Sequence, residues 1–184
     1  MTTPSKTGSA AQQGGANQRG LITLDESEVS EMLAGIRSLT IASIGPTGMP
    51  HLVAMWFAVL DGEIWFETKA KSQKAVNLRR DPRVSALAED GDVYEDLRGV
   101  EIEGRAEITD DPDALWRVGV DVWERYHGQY SEEVRPFVEA SVRKRVAVRI
   151  IPERTRTWDH RKLGLPTSGP AAGSTVTTPG RRNR

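Results

Sequence analysis

Apolar positions switch between two periods along the chain, and the switch points mark its elements. Val29, Met32, Leu33 and Ile36 fall at i, i+3, i+4 and i+7, the spacing of a helix with one buried face. Asp25, followed three residues later by Glu28, supplies a capping-box start for it. Three strands are predicted next: Leu39–Ile44, then 51–60 (HLVAMWFAVL), then 63–68. The glycines and proline of Gly45-Pro46-Thr47-Gly48 form the first turn, and Asp61-Gly62 is a two-residue hairpin signal of the type I′ kind. A basic stretch separates these from a fourth strand, 83–89, ended by Asp90-Gly91-Asp92. Residues 98–108 alternate Val100 and Ile102 with Glu101 and Glu103, the period of a half-buried strand. Two helices are predicted at 113–126 and at 131–144, the second with Ser131 as N-cap. The first carries Leu115, Val118, Val122 and Tyr126 on one face and Trp116, Val120 and Trp123 beside it, enough to contact a second surface such as another subunit. Strands at 145–151 and 154–158 close the pattern.

Six or seven strands joined by short turns, with helices inserted irregularly, do not make a doubly wound parallel sheet. They fit an antiparallel barrel with peripheral helices. Residues 1–20, rich in Gly, Ser, Thr, Gln and Ala, and the similar stretch 167–184 lack apolar periodicity, so both are expected to be disordered tails on a single folded unit, 21–166. With no cysteine in the chain, disulfides, cysteine–zinc sites and thiol nucleophiles are excluded. No apolar run approaches the roughly 18–20 residues of a membrane span, and residues 1–20 lack a signal peptide's apolar core. The expected compartment is the cytoplasm.

Charge changes the picture in one place. Residues 69–83 hold Lys69, Lys71, Lys74, Arg79, Arg80 and Arg83 against the single acid Asp81, inside a chain of net charge −1. Such a cluster is self-repelling unless an anion sits there. Ser72 stands where a helix N-cap would, and the helix Gln73–Arg80 must stop at Asp81-Pro82, because proline pushes its predecessor out of the α region. N–H groups of a first turn, a hydroxyl and Lys74 together suit a phosphate. The segment lacks the aromatic–basic interleaving expected of a nucleic-acid surface. The three histidines, His51, His127 and His160, sit in different segments with no metal-ligand spacing. No nucleophile elbow, P-loop or dinucleotide fingerprint occurs, so if the chain is an enzyme its hard chemistry would come from a bound cofactor.

The order PHLVAMWFAV (50–59), DGEIWFETKAKSQKAVNLRRDPRV (61–84), GVEIEGRAEI (99–108) and WDHRKLGLP (158–166) resembles the split-barrel flavin and deazaflavin oxidoreductases related to pyridoxamine 5′-phosphate oxidase. Within that group the similarity is greatest to the actinobacterial branch that uses the 8-hydroxy-5-deazaflavin coenzyme (coenzyme F-420). The resemblance covers about 36–166 and is most specific at Lys74, Asn77, Leu78, Asp81, Pro82 and Arg83. It implies a six-stranded antiparallel split β-barrel, mainly β with peripheral helices, paired into a homodimer with cofactor sites at the seam. By the same resemblance Lys74 contacts the cofactor phosphate and Asn77 supports that segment. Ser72 occupies a position where the family often has a basic residue; Lys69 and Lys71 stand nearby to substitute, with Gln73 in the same first turn. His51 to Met55, Ala54 included, line the ring system, and Thr68 lies at the pocket edge. Tyr94 reaches across from the partner subunit, and Trp158 belongs to a segment that closes over the cofactor. His160 and Lys162 are candidate proton sources for hydride transfer to or from a small unsaturated substrate. An acidic tail on the coenzyme would be tracked by Lys69, Lys71 and Arg79. Trp158-Asp159-His160-Arg161-Lys162 replaces the Arg-x-His-x-Arg substrate signature of the pyridoxine-phosphate enzymes, which argues against that substrate. Flavin mononucleotide (FMN) in the same fold, and a non-catalytic cofactor-binding protein, are the alternatives.

Overall fold

The two-residue step Trp56-Phe57 decides the architecture. In the computed structural model, which describes residues 18–166, the expected strand 51–60 is divided there into β2 (Pro50–Met55) and β3 (Ala58–Leu60). With β1 (Leu39–Ile44), β4 (Glu63–Lys69), β5 (Arg83–Asp90), β6 (Arg98–Thr109) and β7 (Arg145–Asp159) they form one sheet of order β2-β1-β5-β6-β7-β4-β3. Every pairing in it is antiparallel. β2 and β3 are therefore the opposite edges of the sheet, which in a flat sheet of this size would lie about 29 Å apart. Three chain steps from Met55 to Ala58 span about 10 Å at most. The sheet must curl until its edges nearly meet, the split barrel expected, with seven strands where six were expected.

The interior follows from the pleat. Leu39 and Ile41 of β1, Phe66 of β4, Val84 and Ala86 of β5, Val100 and Ile102 of β6, and Val148 and Ile150 of β7 all join one buried cluster. Side chains from distant strands can meet only on the concave face of a curled sheet. Helix α2 (Glu26–Gly35) closes one part with Met32 and Leu33, and α3 (Gln73–Arg80) contributes Ala75 and Leu78. Outside the barrel, α4 (Pro112–His127) packs Leu115, Val118 and Val122 against Ala58 and Ala147, and α5 (Arg135–Val142) packs on α4 through Val138. Gly119 permits that approach, since a Cβ there would lie 2.6 Å from Val142 Cγ1.

Local signals explain most boundaries. Asp25 and Glu28 form the reciprocal capping box. Asp61 (φ 54°) and Gly62 (φ 80°) both adopt the left-handed backbone of a type I′ turn. The described chain begins in a single helical turn, α1 (Gln18–Leu21), slightly ahead of the expected start at 21; the rest of both expected tails lies outside the described residues.

Two expectations are corrected. The strands at 145–151 and 154–158 are one, because Pro152 sits opposite Gly104 at a register shift between Glu103 and Gly104, where a ladder N–H can be spared. The last helix starts at Arg135, not near Ser131, and its N-cap Val134 makes no side-chain cap bond. Pro136 sets that start, since proline is tolerated in a first helical turn but not a turn further in.

Candidate functional site

Helix α3 begins as its sequence predicts, with Ser72 Oγ accepting the Ala75 N–H at 3.3 Å. Around that start the side chains interlock. The Thr68 and Ser72 hydroxyls lie 3.0 Å apart, and Lys74 Nζ donates to Thr68 Oγ1 at 3.2 Å. Gln73 Nε2 donates to Asn77 Oδ1 at 2.8 Å, and Asn77 Nδ2 donates to Ser43 Oγ of β1 at 3.1 Å. Asn77, Ser43 and Thr68 are buried. Asn77 thus fastens the helix to the barrel.

Lys74 is different. Burial, and secondarily the neighbouring Arg145, hold its ammonium below the usual lysine range. A half-buried cation bonded to a neutral hydroxyl beside a second cation is electrostatically suited to an anion. The other cations of the basic stretch divide. Arg79 donates to the Ala70 carbonyl, Arg80 to the Ile44 carbonyl, and Arg83 pairs with Asp81 at 2.6 Å, so these three fasten the helix and its exit. Lys69 and Lys71 are exposed at its entrance.

Arg145, which the sequence reading passed over, completes the cluster. It opens β7 opposite Lys69, one step along the ladder from the Thr68–Val146 pair. Its Nη1 lies 3.5 Å from Oε1 of Glu67, and Glu67 is buried with no hydrogen-bond partner for Oε2. Burial pushes the Glu67 carboxyl up to about 7, against the opposing pull of Arg145. Glu67 and Arg145 are 78 positions apart, each one of several charged residues on its strand, so the sequence did not single out the pair.

Glu67 and Arg145 line a cavity of about 370 Å³ whose walls include Ala54 and Met55 of β2, Trp56, and Trp123 and His127 of α4. The aromatic wall is ordered by stacking: Trp56 lies 4.3 Å from the Tyr126 ring at 9°, and Trp123 lies 4.5 Å from His127. Arg145 on the wall, with Lys74 near it, and flat apolar walls opposite suit a planar ring system carrying a phosphate, as in a flavin or deazaflavin. Lys74, Arg145, Ser72 and Thr68 would hold its anionic end, and Met55, Trp56 and Trp123 its ring.

The remaining candidates lie elsewhere in the chain. His51 is half-buried on β2 opposite Ser43, with Nδ1 shielded from solvent and unbonded. Tyr94 and His160 form a pair, rings 4.4 Å apart, with His160 Nδ1 2.7 Å from the Tyr94 carbonyl. Trp158 lies over Gly99, where a Cβ would come within 2.1 Å of its ring. Lys162 donates to the Thr23 carbonyl at 2.7 Å and pairs with Glu28 at 2.6 Å. The structure brings together Thr68, Ser72, Gln73, Lys74 and Asn77 at the start of α3 and Ala54 and Met55 in the cavity with Arg145, while Tyr94 and His160 pair elsewhere. Among the described residues no cluster of three potential metal ligands occurs, and no helix is long and apolar enough to cross a membrane.

Fold and site together define a flavin-type split barrel. Residues 25–159 match the pyridoxamine 5′-phosphate oxidase family, and this chain belongs to it. A conserved hypothetical protein from Mycobacterium tuberculosis is 60% identical over 88% of this chain and 100% of its own, with a TM-score of 0.83. An F420 reductase is 29% identical over 68% of this chain and 94% of its own, with a TM-score of 0.54. An FAD-binding protein from Mesorhizobium loti shares the fold at 19% identity, covering 73% of this chain and 93% of its own, with a TM-score of 0.54. Comparison with curated proteins gave no match.

Proposed function

We propose that this chain is a deazaflavin-dependent oxidoreductase, acting as a homodimer that transfers a hydride between coenzyme F-420 and a small unsaturated organic substrate. The observation that carries the reading is Arg145 in the wall of an aromatic-lined cavity, with Lys74 close enough to feel its charge. Similarity to an F420 reductase supports the deazaflavin over a flavin. The coenzyme supplies the hydride; the protein's work is to bind and orient it. Lys74, Arg145 and the Ser72 cap take the phosphate, while exposed Lys69 and Lys71 are placed to meet an acidic tail. The ring then rests against β2, with a substrate stacked on its open face at a distance suited to transfer.

The convex face of the sheet supports the dimer. Leu52 is 64% exposed on β2, and the face around it carries an apolar depression of about 280 Å³ lined by Ala42, Leu87 and Trp158. A second copy seated there would cover this surface and bring Tyr94 and Trp158 of each chain towards the other's cofactor corner.

Parallel fluorescence titrations with the deazaflavin coenzyme and FMN test the proposal, read through the cavity tryptophans Trp56 and Trp123. Micromolar deazaflavin binding is expected, about −8 kcal/mol. Lys74→Ala should lose about 1.5–3 kcal/mol as its charge-assisted contact goes. Equal affinity in both proteins would remove Lys74 from the site, and a preference for FMN would refute the cofactor assignment.

A further inference from the structure

Glu67 is an anion placed inside an anion site. Its side chain is 9% exposed, it lines the aromatic cavity, and its nearest charged group is Arg145 at 3.5 Å. A carboxylate there opposes an incoming phosphate twice, by direct repulsion and by occupying the guanidinium that the phosphate needs. Resting on the function proposed above, we infer that Glu67 and an anionic ring-bearing ligand compete for Arg145, and that Glu67 gives way by taking up a proton as the ligand binds. Proton-linked selection of the anionic cofactor is thereby built into the cavity itself.

The surroundings make this step accessible. From β7 Glu67 faces Arg145, from α3 Lys74 stands beside that arginine, from α4 His127 shares the cavity wall, and α5 contributes the uncharged Ser141. β2 adds Ala54 and Met55, which carry no charge. Burial already brings the carboxyl to about 7 even with Arg145 beside it. Drawing Arg145 away and adding a negative ligand both raise it further, so protonation accompanies binding across the neutral range. Once neutral, the acid can donate to a ring carbonyl or nitrogen, because its terminal torsion is soft enough to turn either oxygen towards the cavity.

Isothermal titration calorimetry of the full chain, with the deazaflavin coenzyme and FMN as probes, tests this in buffers of different ionisation enthalpy near pH 7.8. Uptake of roughly 0.8 proton per bound ligand is expected in wild type, and under about 0.1 in Glu67→Gln. Wild-type Kd should weaken about sixfold from pH 7.5 to 8.5, while Glu67→Gln stays within about twofold. Phosphate groups on the probes titrate near pH 6, below this window. Difference infrared spectra of wild type should gain a protonated-carboxyl band on binding, a readout that does not depend on the variant folding. Tight binding without proton uptake overturns the inference while leaving the proposed function standing. Uptake that persists in Glu67→Gln also overturns it. Failure of both probes to bind sinks the inference and the proposed function together.

Discussion

Asn77→Ala separates the structural part of the basic segment from its binding part. Asn77 is fully enclosed, accepts from Gln73 and donates to Ser43, and Ser43 is itself buried. Truncation removes two hydrogen bonds, each worth about 0.5–1.5 kcal/mol net. Gln73 is exposed and recovers its bond from water, whereas the Ser43 hydroxyl stays enclosed without its partner, a penalty of about 1–3 kcal/mol. The expected total loss is about 2–4 kcal/mol, read as a shift in urea midpoint at unchanged slope and fixed protein concentration. For a folded unit of this size that is a fall in Tm of about 5–12 °C. Adding Ser43→Ala should cost little more, since the orphaned hydroxyl leaves with it. Lys74→Ala, by contrast, removes a desolvated cation whose acceptor Thr68 keeps Ser72, so stability should stay within about 0.5 kcal/mol. A loss below about 1 kcal/mol for Asn77→Ala, or strict additivity with Ser43→Ala, would refute the view that this amide bolts α3 to the barrel.

Three further outcomes follow from the same geometry. Gly104→Ala would place a Cβ 2.1 Å from the Ile151 carbonyl oxygen, where backbone rather than side chain must move; a loss of about 2–3 kcal/mol by chemical denaturation is expected. Leu52→Glu on the exposed edge strand should halve the mass seen by sedimentation and weaken coenzyme binding with it, whereas an unchanged mass would place the subunit contact on another face. Glu67 makes stability depend on pH with a definite sign: its folded value of about 7 stands above the ordinary 4.5, so the folded state holds the proton more tightly. Its stabilising contribution is complete below about pH 4.5 and lost as pH rises through 7, about 3 kcal/mol in all, and Glu67→Gln should abolish that slope and melt higher than wild type at pH 8.

Local grammar was legible wherever a boundary is set by a few adjacent residues. The Asp25–Glu28 box, the Asp61-Gly62 turn, the Ser72 cap and the Asp81-Pro82 stop all formed where their side chains and backbone preferences put them. What could not be read locally was decided by closure of the sheet. HLVAMWFAVL has an unbroken strand pattern, yet its two halves lie on opposite edges. The chain crosses the gap at Trp56-Phe57, with Phe57 buried and its N–H satisfied by the Tyr126 hydroxyl at 3.3 Å. Pro152 looked like a break for the opposite reason: its missing N–H matters only where the ladder demands one, and Gly104 opposite relaxes that demand.

The same distinction governs the candidate site. Counting charges overstated the free cations of the basic segment, because Arg79 and Arg80 donate to the Ala70 and Ile44 carbonyls and Arg83 pairs with Asp81. The second cation of the anion site came instead from the first residue of a strand far along the chain, brought beside Lys74 by the β4–β7 register. That register also buries Glu67 next to Arg145, and a buried carboxylate among the cations proposed to bind phosphate stabilises neither the fold nor the grip on an anion while it stays ionised. Its presence is reasonable if the site must distinguish ligands that deliver negative charge and a hydrogen-bond acceptor together from ligands that deliver charge alone. A simple inorganic anion would draw Arg145 away but offer the neutral acid nothing in return, whereas a ring with a carbonyl or nitrogen at its edge would satisfy both.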